Sequence, residues 1–136
     1  EEPVLSRFDI ADGARTPFAG GHETWVWSLA MTPDGTVLIS GGADGKLCWW
    51  ESASSEPKPT RQLSAHVGWI RALAVSPDGS TLASAGNDLV IRLWKIADGT
   101  LIREWTAHAK DSMTLLYHPG GGILYSGDLM GVVKGW

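Results

Sequence analysis

The stretch HVGWIRALAVSPDGSTLASAGNDLVIRLW, which runs from His66 to Trp94, decides the fold of this chain. Two apolar segments, residues 70–75 and 81–84, flank a Pro-Asp-Gly sequence, in which proline presets φ and glycine takes the corner of a turn. A second tight turn, Asn-Asp-Leu, leads to a third apolar segment that ends at Trp94. Short apolar segments separated by tight turns predict a series of antiparallel strands.

The same pattern occurs three times in register, starting from His22, His66 and His108. A proline follows each histidine after 11 residues, a serine after 18 and a tryptophan after 28. The histidines are 44 and 42 residues apart, and self-similarity at such a period is typical of repeat proteins. The matching residues are Pro33, Ser40 and Trp50, then Pro77, Ser84 and Trp94, then Pro119, Ser126 and Trp136.

The pattern also predicts a fourth strand after the tryptophan, which the third repeat lacks. Residues 100–105 follow Trp94 in this role, and residues 14–18, before the first histidine, are their counterpart. The segment from Phe8 to Gly13 repeats the segment from Trp94 to Gly99. A polar loop with two prolines, residues 52–59, obscures the counterpart after Trp50 and predicts a surface connection. The sequence therefore predicts an all-β protein made of four-stranded antiparallel sheets.

Composition narrows the class of protein further. The chain has 136 residues, of which 43% are hydrophobic and 19% charged, as in globular proteins. Its formal charge is −4 and its basic residues are scattered, which disfavours nucleic acid as a partner. It has no apolar run of membrane-spanning length, so we expect no membrane partner. The single cysteine, Cys48, leaves the redox compartment open, and we expect a cytoplasmic location.

These repeats resemble the WD-repeat family of β-propellers, whose sheets, or blades, carry Gly-His near the start and Trp-Asp at the end. Gly21-His22 keeps the first dipeptide, whereas alanine precedes the other two histidines, and the terminal Asp has drifted to Glu51 and Lys95. The resemblance implies a propeller with three blades per chain. Residues 1–20 are then an outer strand that closes a neighbouring blade, residues 21–64 are blade 1, residues 65–106 are blade 2, and residues 107–136 are blade 3, which lacks its outer strand.

In the same family a histidine, a serine or threonine, an aspartate and the tryptophan form a hydrogen-bonded tetrad within each blade. The resemblance implies this structural role for His22, Ser40, Asp44 and Trp50, for His66, Ser84, Asp88 and Trp94, and for His108, Ser126 and Trp136. The third repeat has Met130 where the others have aspartate, and Asp128 can substitute only if the turn is remodelled. We therefore expect blade 3 to be the loosest.

A Ser-His-Asp set also raises the possibility of a hydrolase. The set recurs in every repeat, however, whereas an active site occurs once, so we expect no enzyme activity and no catalytic residue. Metal-ligand spacing is absent because the repeated histidines belong to separate blades, so we expect no metal and no cofactor. His118, beside Pro119, is interpreted as a turn residue, and Cys48 as a buried small hydrophobe.

Two further tryptophans, Trp25 and Trp69, stand three residues after their histidines. In propellers of this family the matching rim around the central channel is the usual partner-binding surface, and tryptophan and arginine are enriched in binding hot spots. Trp25 and Trp69 either bind a partner or cap the blade edges. Trp49 and Trp105 are interpreted as core between blades. The predicted partner-binding rim comprises Trp25, Trp27, Ala43, Trp69, Arg71, Asn87, Asp111, Met113 and Leu129.

Three blades do not close a ring, because the usual number is about four to eight. An open stack exposes two apolar faces at a cost comparable to the stability of a whole domain. The leading hypothesis is a non-catalytic protein–protein interaction scaffold that closes by homo-oligomerisation, with six blades as a cyclic homodimer or nine as a homotrimer, and binds an unknown protein or peptide on its top face. The alternatives are a structural or engineered propeller fragment without a ligand, or part of a longer multi-domain chain.

Overall fold

The computed structural model describes residues 5–136, so residues 1–4 of the predicted outer-strand segment 1–20 lie outside the described residues. Within that range all regular structure is β-sheet, in four antiparallel sheets. The first sheet pairs β1 (Ser6–Phe8) with β2 (Arg15–Pro17). The strands of the other sheets follow chain order from one edge to the other, which confirms the predicted all-β class with antiparallel blades.

The first two repeats form four strands each and the third forms three. Blade 1 consists of β3 (Val26–Met31), β4 (Val37–Gly42), β5 (Lys46–Glu51) and β6 (Pro59–Ser64). Blade 2 consists of β7 (Ile70–Val75), β8 (Thr81–Gly86), β9 (Val90–Lys95) and β10 (Leu101–Thr106). Blade 3 consists of β11 (Ser112–Tyr117), β12 (Leu124–Asp128) and β13 (Val133–Gly135).

The turn between the first two strands of a blade is fixed by local hydrogen bonds. In blade 1, Asp34 Oδ1 accepts from the Thr36 backbone N–H at 3.0 Å and from the Thr32 hydroxyl at 2.6 Å. The Gly35 N–H donates to Thr32 O at 2.8 Å, and Gly35 adopts a φ of 73°, which favours glycine. Blade 3 lacks this aspartate, and the His118 ring replaces it by accepting from the Gly120 N–H at 2.9 Å.

The N-terminal segment differs from its prediction. β2 lies within residues 14–18, where an outer strand was predicted, and it pairs over three residue positions with an additional strand, β1, to make a hairpin. The repeat register gives the reason, because Ser6–Phe8 corresponds to the end of the third strand of blade 2. The turn that follows it, residues 9–13, corresponds to residues 95–99 of blade 2. Phe18, after the hairpin, packs against Trp50 with ring centroids 5.2 Å apart and anchors the hairpin to blade 1.

The hydrophobic core lies between the blades. Between blades 1 and 2, Ile39, Leu47 and Trp49 pack with Ile70 and Leu82, and Trp49 retains only 2% of its exposure. The cluster between blades 2 and 3 is built from smaller side chains and consists of Ala72, Ala83, Ala85, Ile91, Ala107, Leu115 and Leu124. Trp105 is half-buried at the edge of this second cluster.

The two ends of the blade stack expose apolar side chains. On blade 1, Leu29 and Met31 are exposed on β3. On blade 3, Leu116, Tyr125 and Val133 are exposed on three successive strands. These three residues occupy the repeat positions of Ala30, Ile39 and Leu47. Between blades 1 and 2, Ile39 and Leu47 are buried and Ala30 packs against them.

Candidate protein-interaction surface

The tetrads of blades 1 and 2 are complete. The Trp50 indole N–H donates to Ser40 Oγ at 2.9 Å, and His22 Nε2 lies 2.7 Å from the same oxygen. On the other side of the ring, His22 Nδ1 lies 3.0 Å from Asp44 Oδ1. A neutral imidazole with its proton on Nδ1 therefore satisfies every member, because it donates to the carboxylate and accepts from the serine hydroxyl. In blade 2, His66, Ser84, Asp88 and Trp94 repeat these contacts at 2.7–2.9 Å.

In the third tetrad the aspartate comes from a different position of the turn. His108 Nε2 lies 2.7 Å from Ser126 Oγ, and the Trp136 N–H donates to that oxygen at 2.8 Å. Asp128 Oδ2 lies 3.2 Å from His108 Nδ1, although the ring nitrogen is not aligned for a hydrogen bond. Asp128 occupies the repeat position of Gly42, where a Cβ would meet the Asp44 carboxylate at 2.5 Å. The two turn positions that hold Gly42 and Asp44 in blade 1 therefore hold Asp128 and Met130 in blade 3.

The environment of the tetrads fits a structural role. Ser40 and Ser84 are fully buried, and each hydroxyl is already shared between a tryptophan and a histidine. Burial raises the pKa of the Asp44 carboxyl, but hydrogen bonds from His22 and from the backbone of Lys46 outweigh burial, so the pKa lies below its usual range. Each serine hydroxyl is therefore buried and held between two side chains of its own blade.

A β-bulge in the first strand of every blade shapes the rim. In blade 1, Val26 pairs with Gly42 and Ser28 with Gly41, so Trp27 is the extra residue between them. Arg71 and Met113 are the extra residues at the same point of blades 2 and 3. A bulge redirects the side chain of the inserted residue. The backbone oxygens of Trp25, Trp69 and Asp111 accept from the N–H groups of Ala43, Asn87 and Leu129, respectively, so the three rims are alike.

Four of the predicted rim residues form one exposed group, which we call the tryptophan cluster: Trp25, Trp27, Trp69 and Arg71. Trp27 and Trp69 are stacked with centroids 5.7 Å apart, and Trp25 meets Trp27 edge-on at 5.8 Å. The Arg71 guanidinium lies 4.5 Å from the ring centroids of both Trp27 and Trp69. The exposed fractions of Trp25, Trp27 and Trp69 are 64%, 42% and 36%.

The charge of Arg71 has no acidic partner among residues 5–136, as is true of every arginine there except Arg92. The Arg71 Nε is in addition buried without a hydrogen-bond partner. By contrast, Arg92 of the same blade pairs with Asp88 at 2.7 Å and with Glu104 at 2.8 Å. Among the described residues, the cluster therefore combines exposed aromatic surface with a cation that has no acidic partner.

The remaining predicted rim residues lie outside this cluster. Asn87 Oδ1 accepts from the Trp69 N–H at 2.8 Å and so positions Trp69. Ala43 is half-buried, while Met113 and Leu129 of blade 3 are exposed without an aromatic neighbour. Sequence reasoning missed the bulge, for which the only signal was the recurrence of a large side chain five residues after each histidine.

Three other features bear on the kind of site. Among residues 5–136, no three His, Cys, Asp or Glu side chains are grouped so as to hold a metal ion. The same part of the chain contains no helix that is long and apolar enough to cross a membrane. Burial raises the pKa of the Cys48 thiol to about 12, with a smaller contribution from the Asp44 charge, which keeps the thiol protonated.

Comparison with known proteins agrees with this geometry. The family profile described as "WD domain, G-beta repeat" matches residues 15–51 and 57–95, more than half of the chain. Protein groucho of Drosophila melanogaster is 30% identical over 115 residues, 85% of this chain, which spans only 16% of that protein. The computationally designed Ika4 protein superposes with a TM-score of 0.83 at 27% identity, over 98% of this chain and 79% of that one. The chain belongs to the WD40 repeat family.

Proposed function

We propose that this chain is a non-catalytic protein-interaction module and that the tryptophan cluster is its binding surface. The observation that supports this most directly is the Arg71 guanidinium, which has no acidic partner among residues 5–136 and lies over two exposed indoles. WD40 proteins bind other proteins, and the position of Trp27 and Arg71 at equivalent bulges of neighbouring blades supports a common surface for binding. Packing alone gives no reason to leave three indoles exposed on one surface.

The chemistry of the cluster indicates what kind of segment it accepts. The stacked indoles offer a surface for an apolar or aromatic side chain, and desolvated aromatic contacts carry much of the energy of protein interfaces. The Arg71 guanidinium offers donors for a carboxylate, and a charge-assisted hydrogen bond is about twice as strong as a neutral one. The expected partner is a peptide segment with an apolar side chain next to an acidic residue.

Peptide selection with the whole chain as bait tests this proposal. A random peptide library is selected against the protein, and the enriched peptides are titrated by calorimetry. We expect acidic–apolar sequences, with Kd values raised more than about tenfold by Trp27→Ala or Arg71→Ala, since hot-spot truncation costs about 2 kcal/mol or more. Met113→Ala, at the equivalent bulge of blade 3, is the matched control. Equal effects of all three variants would contradict the proposal, as would loss of the fold in Trp27→Ala.

A second part of the proposal is that the module works as a closed homo-oligomer. The supporting observation is that Leu29 and Met31 on blade 1, and Leu116, Tyr125 and Val133 on blade 3, are exposed at positions whose counterparts are covered between blades 1 and 2. Joining blade 3 of one copy to blade 1 of the next gives those positions the environment they have inside the chain. Six blades in a dimer fall within the usual range for propellers.

Light scattering coupled to gel filtration tests this part independently of any peptide. We expect a dimer or a trimer, and Leu116→Asp is expected to convert it to monomer because a charge cannot be buried there without a partner. Val67→Asp, at an exposed apolar position before blade 2, is the control. A well-behaved monomer of the unmodified chain would contradict homo-oligomerisation.

A further inference from the structure

Residues of neighbouring blades meet in pairs along the rim. Trp27, at the bulge of blade 1, stacks on Trp69 of blade 2 with ring centroids 5.7 Å apart. The residues at the same two repeat positions one blade further on are Arg71 and Asp111. The bulge recurs in every blade, and β7 packs against β3 on one side and against β11 on the other. The repeat register therefore makes Arg71 and Asp111 neighbours on the rim, as Trp27 and Trp69 are.

The cation and the anion of this second pair do not join. The Arg71 guanidinium lies 4.5 Å from the ring centroids of Trp27 and Trp69, so it reaches back toward blade 1. Among residues 5–136, neither Arg71 nor Asp111 takes part in an ion pair. A cation–π contact with tryptophan is at least as strong as an exposed ion pair, and Arg71 makes two such contacts. The two opposite charges are thus presented separately.

The platform that holds Arg71 is itself fixed. Asn87 Oδ1 accepts from the Trp69 N–H at 2.8 Å, and the Asn87 N–H donates to Trp69 O at 3.2 Å. Gly68 makes room for this amide, because a Cβ at Gly68 would lie 2.5 Å from Asn87 Oδ1. Two hydrogen bonds on the same residue hold the backbone of Trp69 in place, so Arg71 keeps its position above the indole.

The carboxylate of Asp111 is available to a ligand. Its side chain is partly exposed and has neither a hydrogen-bond partner nor an ionic partner among residues 5–136. Lys110, the next residue in the chain, forms no ion pair in the same range. Glu23, an acidic residue in the corresponding loop of blade 1, pairs instead with Lys46 at 2.8 Å. Asp111 is therefore a partly exposed anion beside the tryptophan cluster.

We propose that Asp111 is a specificity-determining residue, which selects a basic side chain in the peptide that the tryptophan cluster binds. This inference rests on the proposed function and adds an order of chemistry along the rim. An apolar side chain contacts the indoles, a carboxylate contacts Arg71, and a lysine or arginine on the blade 3 side contacts Asp111. Complementary charges also reject wrong partners, because a second acidic residue at that place would face Asp111.

Two synthetic peptide libraries test the role of Asp111. Every peptide carries one leucine or phenylalanine followed or preceded by one glutamate. The first library adds a lysine at each position beyond the glutamate, and the second has another glutamate in place of that lysine. Fluorescence polarisation with the whole chain measures the affinities. The best lysine peptides are expected to bind about five- to tenfold more tightly than their glutamate counterparts at low salt, and added salt is expected to reduce this ratio.

Variants of the protein separate a local contact from an effect of net charge. Asp111→Asn is expected to remove most of the preference for lysine, and Asp111→Lys is expected to reverse it. Glu23→Gln changes the net charge by the same amount as Asp111→Asn at a carboxylate that already has a partner, so it is the matched control and is expected to keep the preference. Thermal melting by circular dichroism checks that the fold of each variant is intact.

The outcomes distinguish this inference from the proposal on which it rests. Equal binding of both libraries, with an affinity that Trp27→Ala still lowers, overturns the role of Asp111 and leaves the tryptophan cluster as the binding surface. A preference that Glu23→Gln removes as fully as Asp111→Asn also overturns this role, because the preference then reflects net charge alone. If no peptide of either library binds the unmodified chain, the proposed function fails as well.

Discussion

The two junctions between the three blades have the same backbone plan and different cores. The junction between blades 1 and 2 joins Ile39, Leu47 and Trp49 to large side chains of blade 2, and it is closed by Ile96. The junction between blades 2 and 3 has Ala83 and Leu93 at the repeat positions of Ile39 and Trp49, and a cavity lies beside Trp105. The register of the repeat therefore fixes where blades meet, while the two junctions carry side chains of different size at equivalent positions.

The largest expected difference between the junctions is in the cost of removing a tryptophan. Trp49→Ala is expected to lower the free energy of unfolding by about 3–5 kcal/mol, because it leaves a cavity in a closed core. Trp105→Ala removes a half-buried ring next to an existing cavity, so we expect roughly 1–2 kcal/mol. Urea denaturation at one fixed protein concentration measures both.

Trp49→Phe is the control for the first variant, because the Trp49 Nε1 has no hydrogen-bond partner within residues 5–136 and its loss is inexpensive. Equal losses for Trp49→Ala and Trp105→Ala would show that the two junctions are equally tight.

The tetrads of blades 2 and 3 are expected to differ less in stability, and again the loss on mutation is expected to be smaller on the side of blade 3. Ser84→Ala leaves the Trp94 N–H and the His66 Nε2 without a partner in a buried place, and each unsatisfied group costs about 1–3 kcal/mol. Ser126→Ala is expected to cost about 1 kcal/mol, because Trp136 is exposed enough for its N–H to reach water. Thermal melting of the two variants ranks them, and a larger loss for Ser126→Ala would refute this account of blade 3.

The tetrads of blades 2 and 3 are also expected to differ in how much stability their aspartates contribute as the pH falls. Burial raises the pKa of Asp88, but hydrogen bonds from His66 and Arg92 outweigh burial and hold the pKa well below its usual value of 3.8. A carboxyl whose pKa is depressed by folding stabilises the protein above its unfolded pKa, and this contribution is lost as the pH falls through the folded pKa. Asp88→Asn is therefore expected to be clearly less stable than the parent at pH 6, with the gap closing below pH 3.8.

Asp128→Asn is expected to show a smaller gap. The pKa of Asp128 is lowered first by the Val132 N–H, which an amide oxygen still accepts, and blade 3 has no arginine at the position of Arg92. Denaturant titrations at pH 2, 4 and 6 compare the two, and the comparison fails if Asp128→Asn has the larger pH dependence.

The smallest expected effect concerns the turn before the third strand. Leu89 has a φ of 67°, whereas the equivalent Gly45 and Gly131 reach 73° and 82° without a side chain. Leu89→Gly is expected to raise the free energy of unfolding by about 0.5–1 kcal/mol, because it relieves left-handed strain. Gly131→Ala is the inverse control, since its Cβ would meet nothing within 4 Å and so reports backbone strain alone. No change in melting temperature for either variant would remove the strain argument.

Much of the fold could be read from the sequence, because strand periodicity and turn residues are local signals. The Pro-Asp-Gly turns and the strands that flank them depend on neighbours in the chain, as does the recurrence of one histidine, proline, serine and tryptophan in each repeat. The structure has the turns and strands at the predicted places. The N-terminal hairpin was missed because residues 6–8 are too short to show a period. The bulges were missed because an extra residue is defined only against the paired strand.

By itself, the sequence determined the number of repeats and the all-β class, since these follow from spacing along the chain, and its resemblance to the WD-repeat family implied the residues of the first two tetrads. Only the tertiary structure decided that Asp128 approaches His108 from the position of a glycine, because two turns of equal length direct their side chains differently. It also decided that Trp27, Trp69 and Arg71 share one surface, because adjacent blades bring together residues more than forty positions apart. Contacts between blades depend on shape and packing, which local spacing does not encode.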